Sequence, residues 1–216
     1  MKKTILFLAG GAALIAGCAS MSSSSTSSSS RVAVSPEMAG QLAQMMKNDF
    51  KSKGPATLER VINRDDAQKI CSEYPHEVPK DVAEKIEKAN LATVKYPSDG
   101  KFLGDWKEGE KVAQSGRGMQ TSDPVNGVNG GNCYACHQLS KAEISFGNIG
   151  PSLYNYGKLR GQSEAILKYT WGKIYNSQAY SACSSMPRFG HNGILTEVQI
   201  RNVMALLLDP KSPVNQ

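Results

Sequence analysis

No run of Lys or Arg interleaved with aromatics occurs in this 216-residue chain, so nothing in it suits a nucleic-acid groove. The βαβ alternation that surrounds a thioredoxin-like dithiol is also absent. Histidines number three and cysteines five, and only one stretch brings any of them close together. A tetrahedral zinc site would therefore need ligands from scattered Cys71, Cys183, His76 and His191, none of which forms a second close pair. The apolar run from Ile5 to Ala16 is too short to span a bilayer. Composition is otherwise ordinary for a globular protein, with 40% hydrophobic and 20% charged residues. The formal charge is +6; without Lys2 and Lys3 it becomes +4, from 23 basic and 19 acidic side chains. That excess suits docking of an acidic redox partner better than gripping nucleic acid.

The one close group is Cys133-Tyr134-Ala135-Cys136-His137. Two cysteines separated by two residues and followed at once by histidine form the attachment pattern of a c-type haem. Each thiol adds to one vinyl group of the porphyrin, and the short turn matches the vinyl separation. His137 then binds iron from the proximal side. One covalently bound haem c is the cofactor this pattern predicts.

The amino terminus reads as an address. Lys2 and Lys3 precede the apolar run, as in a secretory signal. The run ends in Leu14-Ile15-Ala16-Gly17-Cys18, which resembles the lipobox of bacterial lipoproteins. That resemblance implies cleavage of residues 1–17, acylation of Cys18, and a periplasmic protein lipid-anchored to a membrane. Ala19, rather than aspartate, points to the outer membrane. Residues 18–34, almost pure serine from Ser22 to Ser30, read as a tether.

Residues 35–104 read as a helical extension. Ser35 before Pro36 is an N-cap signal, and Met38, Leu42, Met45 and Met46 follow at helical spacing as a core stripe. A second helix starts at Leu58, Val61 and Ile62 and continues through Ala67, Ile70, Cys71 and Tyr74 to a stop at Pro75. Val82, Ala83, Ile86 and Ala89 mark a third, ending before Tyr96-Pro97. With Cys18 given to lipid and Cys133 and Cys136 to haem, Cys71 and Cys183 remain. In an oxidising compartment a remaining pair tends to bridge, which predicts a Cys71–Cys183 disulfide.

Residues 105–216 read as a cytochrome c domain. Asp105 with Glu108, and Thr196 with Gln199, have capping-box spacing at the starts of two helices. Gly109 on the first suits a close helix crossing with the second, whose stripe is Ile200, Val203, Met204 and Leu207. Two such helices bracketing the attachment site resemble the class I cytochrome c fold. The chain is thus expected to be all-α, a class I cytochrome c with an amino-terminal helical extension. Met186, on the Pro-stiffened loop Cys183-Ser184-Ser185-Met186-Pro187-Arg188-Phe189-Gly190, is the sixth-ligand candidate, with His191 its rival. Pro151, in Gly147-Asn148-Ile149-Gly150-Pro151-Ser152-Leu153, would by the same resemblance offer its carbonyl to the far nitrogen of His137. Tyr154, Tyr156, Trp171 and Tyr175 are expected to wall the pocket.

The stretches Cys133 to Gln138, Gly147 to Leu153, Tyr156-Gly157, Met186 to Gly190, Gly193 to Thr196 and Val203 to Pro210 together resemble SoxX. SoxX is the small cytochrome subunit of the SoxAX complex of bacterial sulfur oxidation. The resemblance covers roughly 105–216 and does not clearly reach the extension. It implies an electron-transfer subunit of an L-cysteine S-thiosulfotransferase, which oxidatively joins thiosulfate to a cysteine of the SoxYZ carrier. The implied partners are a SoxA-like cytochrome that does the chemistry, the carrier reached through the complex, and a diffusible cytochrome acceptor. This chain alone would not be catalytic. The alternatives are a stand-alone, membrane-tethered electron carrier to an oxidase, and a haem-based gas sensor with an open sixth site.

Overall fold

The computed structural model describes residues 31, 33–74 and 77–216. The signal run, Cys18 and the serine stretch, with Pro75 and His76, lie outside them. Among the described residues the secondary structure is helical, and the only pairing of extended backbone is an isolated bridge between Lys53 and Ala56.

Four helices make up the extension: α1 (Pro36–Asp49), α2 (Leu58–Ile62), α3 (Asp66–Glu73) and α4 (Lys80–Leu91). Ser35 caps α1 by accepting the Met38 N–H at 3.1 Å, with Pro36 preset for the first turn. The stripe on α1 is not core, contrary to expectation. Met38, Leu42 and Met45 are 60%, 49% and 51% exposed, and no residue of α1 is buried. Helical periodicity reports an apolar face, and whether a partner covers that face is decided elsewhere in the chain. The expected single helix from Leu58 to Tyr74 is two helices. Asp65 breaks it because its carboxylate accepts the Gln68 N–H at 2.8 Å while the Gln68 side chain returns to the Asp65 N–H at 3.0 Å. That capping box starts α3 afresh. Ala67 of α3 and Ile86 of α4 bury against Ala182 in a small apolar cluster that includes Cys71, Val78 and Val82.

The larger core gathers α5 (Trp106–Gln114), α6 (Tyr156–Arg160), α7 (Glu164–Tyr175) and α8 (Glu197–Leu208). Ile200, Val203, Met204, Leu206, Leu207 and Leu208 of α8 are all buried, with Trp171 and Leu139 against them. Each fully buried aliphatic side chain of this kind contributes about 1.5–3 kcal/mol relative to exposure. Helices α5 and α8 cross where a Cβ on Gly109 would lie 2.1 Å from the Asn202 carbonyl oxygen, so only glycine fits. Thr196 and Gln199 form the expected capping box. Asp105 does not. It accepts the Lys107 N–H at 2.7 Å, while Glu108 pairs with Lys111 at 2.7 Å instead of reaching back. Trp171 is buried in this core, with its indole N–H donating to the Lys95 carbonyl at 2.8 Å and its ring edge-on to Phe102.

Candidate functional site

The cysteine pair sits on a single tight turn. Asn132, in the left-handed region at φ 47°, leads into one 3-10 turn over Cys133–Ala135. The N–H groups of Cys136 and His137 both donate to the Cys133 carbonyl, at 3.1 and 2.9 Å. This closes the loop between the two sulfurs and sends His137 out just beyond them. Buried Tyr134 pins the turn from behind, with its hydroxyl 3.0 Å from the Glu110 carboxylate and 3.2 Å from the Ser140 hydroxyl. Burial pushes the Tyr134 hydroxyl up to about 12 and raises Glu110 against the bonds it accepts. The pair therefore meets as a neutral phenol against an acceptor.

Cys133 and Cys136 are both free thiols. Burial pushes Cys133 up to about 12, so at neutral pH it is a thiol and not the thiolate a metal would take. Among the described residues no three His, Cys, Asp or Glu side chains converge as a metal-ion group.

The segment Gly147 to Leu153 is laid along the turn by three backbone bonds. Gly147 donates to Tyr134, Gly150 to Cys136 and Leu153 to Gln138, each at 2.8 Å. His137 Nδ1 lies 2.7 Å from the Pro151 carbonyl oxygen. A carbonyl only accepts, so Nδ1 carries the proton and Nε2 keeps its lone pair for a metal. Gly150 makes this orientation possible, because a Cβ there would lie 2.2 Å from His137 Cε1. Gly147 must also be glycine, since its Cβ would lie 1.9 Å from the Ala135 carbonyl oxygen. Neither glycine's contact was readable from spacing. A run of two glycines flanking Asn148 and Ile149 was the only sign.

Met186 is half-buried and packs against the same core as Cys133, Leu153, Tyr175 and Ile194. Its carbonyl accepts the Ser177 hydroxyl at 2.5 Å and its N–H donates to the Ser184 hydroxyl at 3.2 Å. The rival His191 is exposed, and its backbone N–H donates to the Tyr175 carbonyl at 2.9 Å. Desolvation, and after it the charge of Arg188, lower its pKa.

Four ties bind the extension to the segment carrying Met186. Cys71 and Cys183 are joined by a disulfide. The Arg188 guanidinium, buried on the Met186 loop, pairs with Asp65 at 2.6 Å. The Ala182 N–H donates to the Glu87 carboxylate at 3.1 Å. Buried Asn176 donates to Asn90 Oδ1 and Thr93 Oγ1, both at 2.9 Å. Sequence reasoning missed the roles of Asp65, Glu87, Asn90 and Arg188. Arg188 had one signal, a lone cation between Pro187 and Phe189 in a loop with no other charged side chain.

The donor set fits a c-type haem: two uncommitted thiols on one turn, an imidazole with Nε2 available, and a half-buried thioether on the same core. An uncharacterized lipoprotein of Aquifex aeolicus (strain VF5) is 37% identical over 190 residues, covering 87% of this chain and 90% of that protein. The chain belongs to that lipoprotein's family. A match of 190 residues is longer than everything from residue 105 onward, so kinship with this lipoprotein takes in part of the helical extension as well. No family model matches the chain. Among the described residues no helix is long and apolar enough to cross a membrane.

Proposed function

We propose that the chain is a monohaem c-type cytochrome of class I fold, lipid-anchored through Cys18 in the periplasm, and the electron-transfer subunit of a SoxAX-like complex. The observation that carries the reading is the 2.7 Å contact between His137 Nδ1 and the Pro151 carbonyl, within a turn that presents two free thiols. Cys133 and Cys136 would hold the haem as thioethers, and His137 and Met186 would ligate its iron. When bound, the haem supplies a one-electron couple. Pro151 fixes the tautomer and plane of His137 and raises the basicity of Nε2. Ser177 and Ser184 hold the backbone on both sides of Met186. With His137 and Met186 both committed to the iron, this chain would offer no position to substrate, and the thiosulfate chemistry would fall to the partner cytochrome.

The anchor is supported by the lipobox-like Leu14 to Cys18 and by kinship with a lipoprotein. Those two observations also favour a second reading, a tethered carrier that works alone beside an oxidase. Purification from the native host tests both. Intact mass should give one covalent haem, and a second cytochrome should co-purify with thiosulfate-conjugating activity. Recovery of a haem-bearing chain alone would leave the stand-alone carrier. A chain without covalent haem would overturn the cytochrome reading altogether.

A further inference from the structure

We propose that α1 is a membrane-surface helix that lies on the lipid bilayer through Met38, Leu42 and Met45; this rests on the anchor at Cys18. Those residues recur at intervals of four and three, so they share one side of a helix, with Ala39 and Met46 beside them. Glu37, Gln44 and Lys47 take the other side, Gln41 and Asn48 border the stripe next to Met45, and Asp49 ends it in the last turn, where the helix leaves the apolar surface. Exposed Val34 and Phe50 extend the apolar surface beyond both ends. The core of the chain does not cover this face, and no residue of α1 is buried. A soluble helix with such a face left open is a binding surface awaiting something apolar.

The occupant is identified by where the chain is held. Ser35 follows Cys18 by 17 residues, and a fully extended segment of that length spans at most about 60 Å. An acyl anchor therefore keeps α1 permanently close to one bilayer surface, whatever else it meets. Lys47, Lys51 and Lys53 cluster at the carboxyl end of the helix, against Asp49 alone there. Those cations suit anionic headgroups. A helix that is apolar on one side, polar on the other and flanked by lysine is the kind that lies in the interface rather than across it. The Arg31–Glu73 ion pair joins the entry to α1 with α3, so a seated α1 would fix how the rest of the chain stands on the membrane.

The test uses the acylated full chain in vesicles of phosphatidylethanolamine with a minority of phosphatidylglycerol, carrying a lipid-soluble carbene-generating probe. Labelling should fall on Met38, Leu42 and Met45 and spare Gln44 and Lys47. The variant M38Q/L42Q/M45Q, altered only at exposed positions, should stay with the vesicles and lose the label. An acylated chain that stays bound with α1 unlabelled would overturn the helix proposal and leave the anchor intact. A chain without acyl groups that still floats through a labelled α1 would sink the anchor and keep the helix. A chain that does neither removes both.

Discussion

The residues that decide the chemistry act through single atoms, and two substitutions should move one observable in opposite directions. If the proposed cytochrome reading holds, Met186→Ala removes a soft thioether that favours the reduced ion, so the reduction potential should fall while haem stays attached through Cys133 and Cys136. On the same reading Gly150→Ala works through His137. Its Cβ would overlap the His137 ring at 2.2 Å, so the ring must turn away from the Pro151 carbonyl. A histidine stripped of that acceptor is a weaker donor and stabilises ferric iron less, which should raise the potential. Potentiometric titration of the two variants beside wild type checks both. Equal potentials in Met186→Ala and wild type would remove Met186 from the iron. A Gly150→Ala variant with unchanged potential would mean that the Pro151 contact does not tune the site.

At the scale of elements, the crossing of α5 and α8 is the joint most sensitive to a single methyl. Gly109→Ala would drive Cβ to 2.1 Å from the Asn202 carbonyl oxygen and 3.0 Å from Leu206 Cβ. Backbone has little room to give, so destabilisation of about 1–3 kcal/mol or more is expected, seen as a lowered Tm. An Ala variant as stable as wild type would show that the helices slide apart freely. This joint was legible from sequence, because a glycine inside a periodic apolar pattern has a cost that only close packing offsets. That Cys133 and Cys136 share one short turn was legible too, from their spacing alone. Elements whose role depends on distant partners were not. Asp65 looked like an interruption in one helix and is a cap whose outer oxygen meets Arg188. The stripe on α1 looked like core because periodicity records only which side is apolar. The Cys71–Cys183 pairing could be predicted by elimination of the other thiols, though nothing local in either stretch marks it.

For the whole molecule, the extension acts as a brace on the loop that carries Met186. The disulfide spans 112 residues, and in the chain-entropy account a closure of that length contributes about 4–5 kcal/mol. The Asp65–Arg188 pair is the second brace, and its pH dependence is separable from the first. Burial alone would raise the Asp65 pKa, but the Gln68 amide and the Arg188 hydrogen bond and charge outweigh it and hold the carboxyl below its ordinary 3.8. A folded-state pKa below the unfolded one means the ionised carboxylate stabilises the fold. That contribution is complete above the unfolded value and drains away as pH drops through the folded one. Asp65→Asn isolates it, because asparagine caps a helix as well as aspartate does and so spares α3. At neutral pH the variant leaves buried Arg188 without its counter-charge and should lose about 1–2 kcal/mol, the lower part of the usual range because solvent reaches the half-exposed carboxylate. Thermal midpoints of wild type and variant should run parallel from neutral pH down to about pH 5 and converge below 3.8 as Asp65 takes up its proton. If the gap persisted through that range, its source would be lost packing and not charge, and the Met186 loop would be held by the disulfide and the asparagine ties without an electrostatic brace.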